Sequence, residues 1–338
     1  MDGLLQTTDR GLYCPAGGFY VDPQRPVARA IVTHAHSDHA RPGCRQYLAA
    51  KTSEHLLRLR MQDDAEFEFL NYGESINIHG VKVSFHPAGH ILGSAQVRLE
   101  YQGRVAVISG DYKLGDDPTC ESWQPVKCDL FVTESTFGLP AYRWPSNELV
   151  VAAINEWWRE SREAGKCCVL YGYAVGKSQR LLAGLDTSIG PIYTHGAVEK
   201  GNAAYRRSGI SLPETTYVGS ITGKHDWKGA MILAVPSAHG TPWTRRFGKI
   251  STAMASGWMA VRGSRRRQSV DRGFVMSDHV DWPSLLSAID ACDPETVWVT
   301  HGYCNAVARY LQESGRNAIV IDSRTRSEGE EDDAAVLE

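Results

Sequence analysis

Six apolar, β-branched runs in this chain each finish at a side chain suited to hold a metal or move a proton, and no other feature limits the fold as strongly. Ile31-Val32-Thr33 leads into His34-Ala35-His36-Ser37-Asp38-His39, and Val81-Lys82-Val83-Ser84-Phe85-His86-Pro87-Ala88-Gly89 ends at His90. Arg104 to Gly110 ends at Asp111, Leu130-Phe131-Val132-Thr133 at Glu134, Phe274-Val275-Met276-Ser277-Asp278 at His279, and Val297-Trp298-Val299-Thr300 at His301. Adjacent strands that end on one edge of a sheet would bring such residues together. Within the first cluster, His34 and His36 share a side of an extended chain and can grip one ion. Asp38 and His39 reach a second ion if the backbone turns into a helix there.

A chain of 338 residues can bury a large core and is long enough for two lobes. No apolar run approaches the roughly 18 residues that span a bilayer. The N-terminal stretch, with Asp2, Asp9 and Arg10, lacks the basic region and apolar core of a signal peptide, so the cytoplasm is the expected compartment and no membrane partner is expected. The eight cysteines include no Cys-x-x-Cys pair, which argues against a zinc ribbon or a disulfide framework. The net charge of −3 understates the basic character of the body, because six of the 39 acidic residues and no basic ones fall between Glu328 and Glu338. That segment reads as a disordered acidic tail, and the remainder can present a basic face to a polyanion.

Residues 1–138 read as short strands with one helix, Ser53 to Met61. A different texture follows. Ser146 or Asn147 caps a helix with an apolar period through Leu149, Ile154 and Trp157-Trp158. A buried strand (Cys167 to Tyr171), a helix near Ser178 to Leu185, a strand (Pro191 to Thr194) and a helix near Glu199 to Arg206 come next. Strand alternating with helix predicts a parallel α/β unit over 139–268, inserted between 1–138 and 269–323, with 324–338 as the tail.

The ordered set His34-x-His36-x-Asp38-His39, His90, Asp111 and His301 resembles the metallo-β-lactamase fold. Glu134-Ser135-Thr136-Phe137-Gly138, Gly172-Tyr173-Ala174-Val175-Gly176-Lys177-Ser178, His279 and His301 resemble the further motifs of its β-CASP nuclease branch, over nearly all of residues 20–310. Within that branch the chain is most similar to the bacterial DNA-ligase-associated exonucleases, relatives of the Artemis-type repair nucleases. The resemblance implies an α/β fold, an αββα sandwich with an inserted β-CASP domain, and a nucleic-acid groove. It implies two divalent ions, Zn²⁺ or Mn²⁺: His34, His36 and His90 would hold one, Asp38, His39 and His301 the other, with Asp111 bridging. Such a pair activates water and stabilises both oxygens of an in-line displacement. His279 would protonate the leaving 3′-oxygen, oriented by Glu134, with Asp38, Glu134 and His279 as the catalytic set. Asp22 matches a position that steadies the ligand loop.

The same resemblance aligns Lys177 and Ser178, with Tyr173, Ser135 and Thr136, with a pocket for a terminal 5′-phosphate. A Gly turn into a helix start with one ammonium suits that group. The full Walker pattern is absent, since Tyr171 stands where its first glycine would be. Expected activity is thus 5′-to-3′ DNA exonuclease action in DNA repair, with functional association with a DNA ligase and a helicase. One departure keeps a second possibility open: His301 resembles the last motif of the RNA-processing enzymes such as RNase J, where Artemis-type enzymes usually lack histidine. Arg262-Gly263-Ser264-Arg265-Arg266-Arg267 is a candidate phosphate-tracking patch, and Trp227, Trp243 and Trp258 are candidates to stack bases.

Overall fold

Fully buried strands explain the apolar runs. In the computed structural model, which describes residues 3–61, 65–261 and 269–321, the chain divides into two compact units. One combines the described residues up to Tyr142 with residues 279–321, and the other is Arg143–Asp278. The basic run Arg262 to Arg267 and the acidic tail lie outside the described residues.

The first unit holds two sheets. Strands β1 (Gln6–Thr8), β2 (Gly11–Cys14), β3 (Phe19–Val21), β4 (Arg29–Val32), β5 (Gln46–Ala50) and β6 (Glu66–Leu70) lie side by side in chain order. The parallel step from β5 to β6 passes through helix α1 (Glu54–Arg60), close to the expected Ser53 to Met61. The second sheet contains β7 (Ser75–Ile78), β8 (Val81–Pro87), β9 (Ala95–Tyr101), β10 (Arg104–Ile108), β11 (Leu130–Ser135) and two late strands, β18 (Thr296–Gly302) and β19 (Ala318–Val320), in the order β19-β18-β11-β10-β9-β8-β7.

Alternation along the central strands shows how the layers form. Leu130 and Val132 of β11 and Ala106 and Ile108 of β10 join Phe19, Val21, Ile31 and Leu48 in a core between the two sheets. Phe131, Val107, Val297 and Val299 point the other way and pack against Trp282, Leu285, Ile289, Val307 and Leu311. Those partners belong to helices Trp282–Cys292 and Cys304–Glu313. A strand covered on both faces must be apolar at every position, which is why β11 reads as a continuous run.

The second unit is a six-stranded, wholly parallel sheet. Its strands are β12 (Cys167–Tyr171), β13 (Ile192–Thr194), β14 (Thr216–Tyr217), β15 (Met231–Ala234), β16 (Ile250–Ala255) and β17 (Arg272–Phe274), in the order β14-β13-β15-β12-β16-β17. Helices α2 (Asn147–Glu163), α3 (Lys177–Gly184) and α4 (Gly196–Arg207) alternate with the strands. Ser146 caps α2, its hydroxyl accepting from Leu149 N at 3.4 Å, and Val150, Ile154, Trp157 and Trp158 form the buried stripe. Among the described residues, no helix is long and apolar enough to cross a membrane.

Candidate metal centre

Pairing directions decide which strand ends meet. Strands β8, β10, β11 and β18 run the same way, since β9 is antiparallel to β8 and β10 while β10, β11 and β18 are mutually parallel. His90, Asp111, Glu134 and His301 therefore lie at one carboxyl edge of the second sheet. His34 arrives from the first sheet, after β4, where Ala95 N donates to Thr33 O at 2.8 Å and ties the two sheets together. His279 departs from the single-edge expectation. The strand before it is Arg272–Phe274, which pairs with β16 of the third sheet, and the chain then crosses four residues of loop, Val275 to Asp278.

At Asp38–His39 the backbone makes one turn and no helix. His36 O accepts from His39 N at 3.2 Å and from Ala40 N at 2.8 Å, a single turn. Pro42, with no N–H to donate, and Gly43, at φ +95°, stop it from continuing. One turn is enough to swing Asp38 and His39 toward the other ligands.

Three imidazoles and a carboxylate then crowd one point. His34 Nε2 and His90 Nε2 stand 3.2 and 3.0 Å from His36 Nδ1, and Asp111 Oδ2 lies 3.5 Å from His34 Nε2 and 3.9 Å from His90 Nε2. All four are buried, with ligand atoms within 4.8 Å of one another. Tetrahedral ligands about 2.0–2.1 Å from an ion stand about 3.3 Å apart, close to this spacing. One proton can satisfy only one of the two contacts at His36 Nδ1, whereas an ion satisfies both.

A second group shares Asp111. His39 Nε2 is 3.3 Å from Asp111 Oδ2 and 3.6 Å from Asp38 Oδ2, and the His301 ring centre is 5.6 Å from that of His39. The Asp38 side chain is 22% exposed, the most accessible of these carboxylates. Nε2 of His39 and Nε2 of His301 are both buried and lack a hydrogen-bond partner among the described residues. Orphaned imidazole nitrogens are costly unless a cation takes their lone pairs, so the donor set fits divalent ions.

Surrounding bonds orient these donors. His39 Nδ1 is 2.7 Å from Asp22 Oδ2, and Asp22 also accepts from Thr33 N at 2.9 Å and Thr33 Oγ1 at 2.6 Å. Thr33 Oγ1 in turn meets His34 Nδ1 at 3.0 Å, so one carboxylate steadies both ends of the loop. His301 is aimed by a bulge: Glu134 pairs with Thr300 and Ser135 with Gly302, which leaves His301 as the extra residue at φ +52°. Gly302, at φ +83°, cannot carry a Cβ, which would stand 2.4 Å from Ser135 O.

Beside Asp111 lies a histidine–carboxylate couple. His279 Nδ1 is 3.0 and 2.9 Å from the two oxygens of Glu134, and Oε1 also accepts from Tyr112 N at 3.0 Å. The His279 ring centre is 4.7 Å from that of His90.

Electrostatics follow from burial among unlike charges. Burial alone would depress His39, but Asp111, Asp38 and Asp22 together outweigh it and hold its pKa well above the usual imidazole range. Burial, then the neighbouring His39, keeps His34 and His301 below that range. Burial would raise Asp111, yet His39, His279 and His34 pull it well below the carboxylate range. Burial pushes Glu134 upward, only partly offset by His279.

A protein named "Probable DNA ligase" from Opitutus terrae is 32% identical to this chain over 313 residues, 92% of the chain and 30% of that protein. An RNase J-like protein of Methanocaldococcus jannaschii is 28% identical over 54% of this chain and 50% of its own length. Endoribonuclease YSH1 of Yarrowia lipolytica is 28% identical over 36% of this chain and 15% of its own. The chain belongs to the β-CASP family of metallo-β-lactamase-fold proteins. It spans half or less of the length of these relatives. No family model matches it. A crystal structure of an Enterococcus faecalis V583 protein of unknown function superimposes with a TM-score of 0.60 at 13% identity, over 88% of this chain and 80% of that one, a likeness of fold alone.

The remaining β-CASP motif residues are engaged within the fold. Ser135 Oγ sits against the carbonyls of Thr300, at 3.1 Å, and His301, closing the bulge, and Thr136 bonds to Glu134. In the second unit, Ser178 Oγ donates to Tyr173 O at 2.6 Å. Lys177 Nζ lies 2.7 Å from Asp278 Oδ2, and Arg180 Nη1 reaches Asp278 Oδ1 at 3.2 Å and Ser277 O at 2.6 Å. Trp227 is buried and meets Phe247 edge to face at 5.0 Å, so its ring is committed to the core. Sequence reasoning missed Asp278 and Arg180. Their signal was only proximity, one beside His279 and the other three residues past Lys177.

Proposed function

We propose that this β-CASP protein is a two-metal DNA exonuclease that hydrolyses phosphodiester bonds 5′-to-3′ from a 5′-phosphate end, in DNA repair. The observation that carries the proposal is the shared carboxylate. Asp111 stands between a His34–His36–His90 group and an Asp38–His39–His301 group whose Nε2 atoms on His39 and His301 lack partners. These seven residues would hold two divalent ions, Zn²⁺ or Mn²⁺, which when bound make water acidic enough to attack near neutral pH and offset charge on the phosphate oxygens. His279, its Nδ1 engaged by Glu134, would give a proton to the departing 3′-oxygen. Asp22 would keep His39 correctly turned. On this proposal the second unit acts as the inserted β-CASP domain, with boundaries near 139 and 268, and Lys177, assisted by Tyr173 and Ser178, receives the terminal phosphate.

The name of the Opitutus terrae relative motivates a functional association with a DNA ligase, and DNA as the substrate. A second reading, an RNA-processing nuclease, is favoured by His301 and by the RNase J-like and endoribonuclease relatives. Product analysis decides between them, on matched DNA and RNA oligonucleotides carrying a 5′-phosphate or 5′-hydroxyl, with Mn²⁺ or Zn²⁺ and an Asp38→Ala control. Mononucleotides from the 5′-phosphorylated DNA end are expected. Preferential RNA cutting, or internal cuts indifferent to the 5′ group, would reject the DNA exonuclease in favour of the second reading.

A further inference from the structure

Beyond the carboxyl ends of β13 and β14, in the second unit, a cleft of about 590 Å³ is lined by His195, Lys200, Tyr217, Trp243 and Arg246 among others. Open parallel sheets bind ligands outside the carboxyl ends of their strands, and the volume suits a small planar group, since such sites run to about 300–1,000 Å³. The Gly172–Ser178 loop follows β12 at the same edge of this sheet.

Aromatic rings in the cleft are held, not loose. Trp243 meets His195 edge to face at 5.1 Å and rests against Phe247 at 4.9 Å. Tyr217 is 47% exposed, yet two glycines make room for its ring. A Cβ on Gly219 would stand 2.3 Å from Tyr217 Cζ and one on Gly196 3.3 Å from Cε2. Neither glycine has a positive φ, so the backbone does not require them and the space they leave serves the ring.

Charge completes the pattern. Lys200 and Arg246 are exposed, and Arg246 makes no ion pair among the described residues. The one acidic residue of the lining, Glu199, is already engaged by Thr194 Oγ1 at 2.6 Å, Thr215 Oγ1 at 2.8 Å and Arg206 Nη1 at 3.3 Å. Flat apolar faces beside cationic groups complement a base with its attached phosphate. An acidic peptide would leave the rings unused, and an apolar ligand would leave the guanidinium unmatched.

We propose that this cleft is a subsite for one or two unpaired nucleotides of a single-stranded polynucleotide, built from Tyr217, Trp243, Lys200 and Arg246. It rests on the nuclease proposal for its ligand class. The test is fluorescence anisotropy of labelled single-stranded DNA of about 25 and about 5 nucleotides with metal-free protein, alongside hydrolysis of the shorter strand by metal-loaded protein. Variants are Tyr217→Ala, Arg246→Glu and Gly219→Ala, the last displacing the ring without removing a polar group. Binding of the long strand is expected to weaken about five- to tenfold in Tyr217→Ala and Gly219→Ala, and at least as much in Arg246→Glu, with hydrolysis of the short strand unchanged. Hydrolysis by the wild type together with long-strand affinity indifferent to all three variants would overturn the subsite and leave the nuclease standing. Tyr217-dependent binding without hydrolysis of any strand would do the reverse. Adenosine monophosphate displacing the long strand at equal concentration would assign the cleft to free nucleotides and overturn the strand proposal.

Discussion

At the carboxyl edge of the second sheet, the ligand atoms of His34, His36, His90 and Asp111 lie within 4.8 Å of one another, and Nε2 of His39 and of His301 make no hydrogen bond among the described residues, whereas at the carboxyl edge of the third sheet Lys177 and Arg180 are matched by Asp278 at 2.7 and 3.2 Å. The first arrangement has the donor set of a cation site. The second is complete, so any anion reaching Lys177 must compete with a carboxylate already in place. The contrast separates a cluster short of hydrogen bonds from one whose charges are already matched.

The largest effect should come from breaking the shared point of the first edge. Asp111→Ala is expected to lose both ions and about three orders of magnitude or more in rate, the scale of removing a charge-stabilising group. Metal analysis and initial rates on a 5′-phosphorylated oligonucleotide check this, and full metal content with near-normal rates would remove Asp111 from the centre. His279→Ala should cost about 10²–10⁴ in rate at unchanged metal content, with the limb of the pH–rate profile that reports the acid shifted or lost. If metal content fell instead, His279 would be a ligand. Asp22→Ala should weaken metal binding about 10- to 100-fold, measured by competition with a chelator, because His39 and Thr33 lose their common partner.

A smaller effect sharpens the other edge. Lys177→Met leaves Asp278 paired with Arg180, so the fold should survive, and the preference for 5′-phosphate over 5′-hydroxyl ends should fall about tenfold. An unchanged preference would dissociate Lys177 from end recognition. Smallest is a pH effect in metal-stripped protein. His39, raised above its ordinary 6.5, contributes stability that is whole below about pH 6.5 and is lost as pH rises through its folded value. Urea denaturation at about pH 6.5 and about pH 9.5 should show that loss, and His39→Gln should flatten it. Equal slopes in both proteins would mean His39 is neutral in the metal-free fold.

Much of this could be read along the chain. The strand ends near His34, His90, Asp111 and His301 were legible because mostly buried strands carry apolar, β-branched runs, and those runs break where the polar ligand stands. The helices near Ser178 and Glu199 were legible from their apolar period, and α3 and α4 start within a few residues of those positions. Whether the chain turned into a helix at Asp38–His39 was open in the sequence, and the structure has a single turn at His36–Ala40.

What the sequence determined by itself is the inventory: which side chains can bind a metal, and that they stand at or near the ends of strand-like runs. The tertiary structure decided their partners. His279 comes from a run that pairs in the third sheet, yet its imidazole meets Glu134, 145 residues away. Asp278 meets Arg180 across 98 residues, and Ser135 spends its hydroxyl on the bulge that aims His301. Local periodicity reports burial over a few residues, because it depends on one element and its covering layer. Which strand lies beside which, and where a bulge falls, depends on pairing between distant segments, and no single segment encodes that.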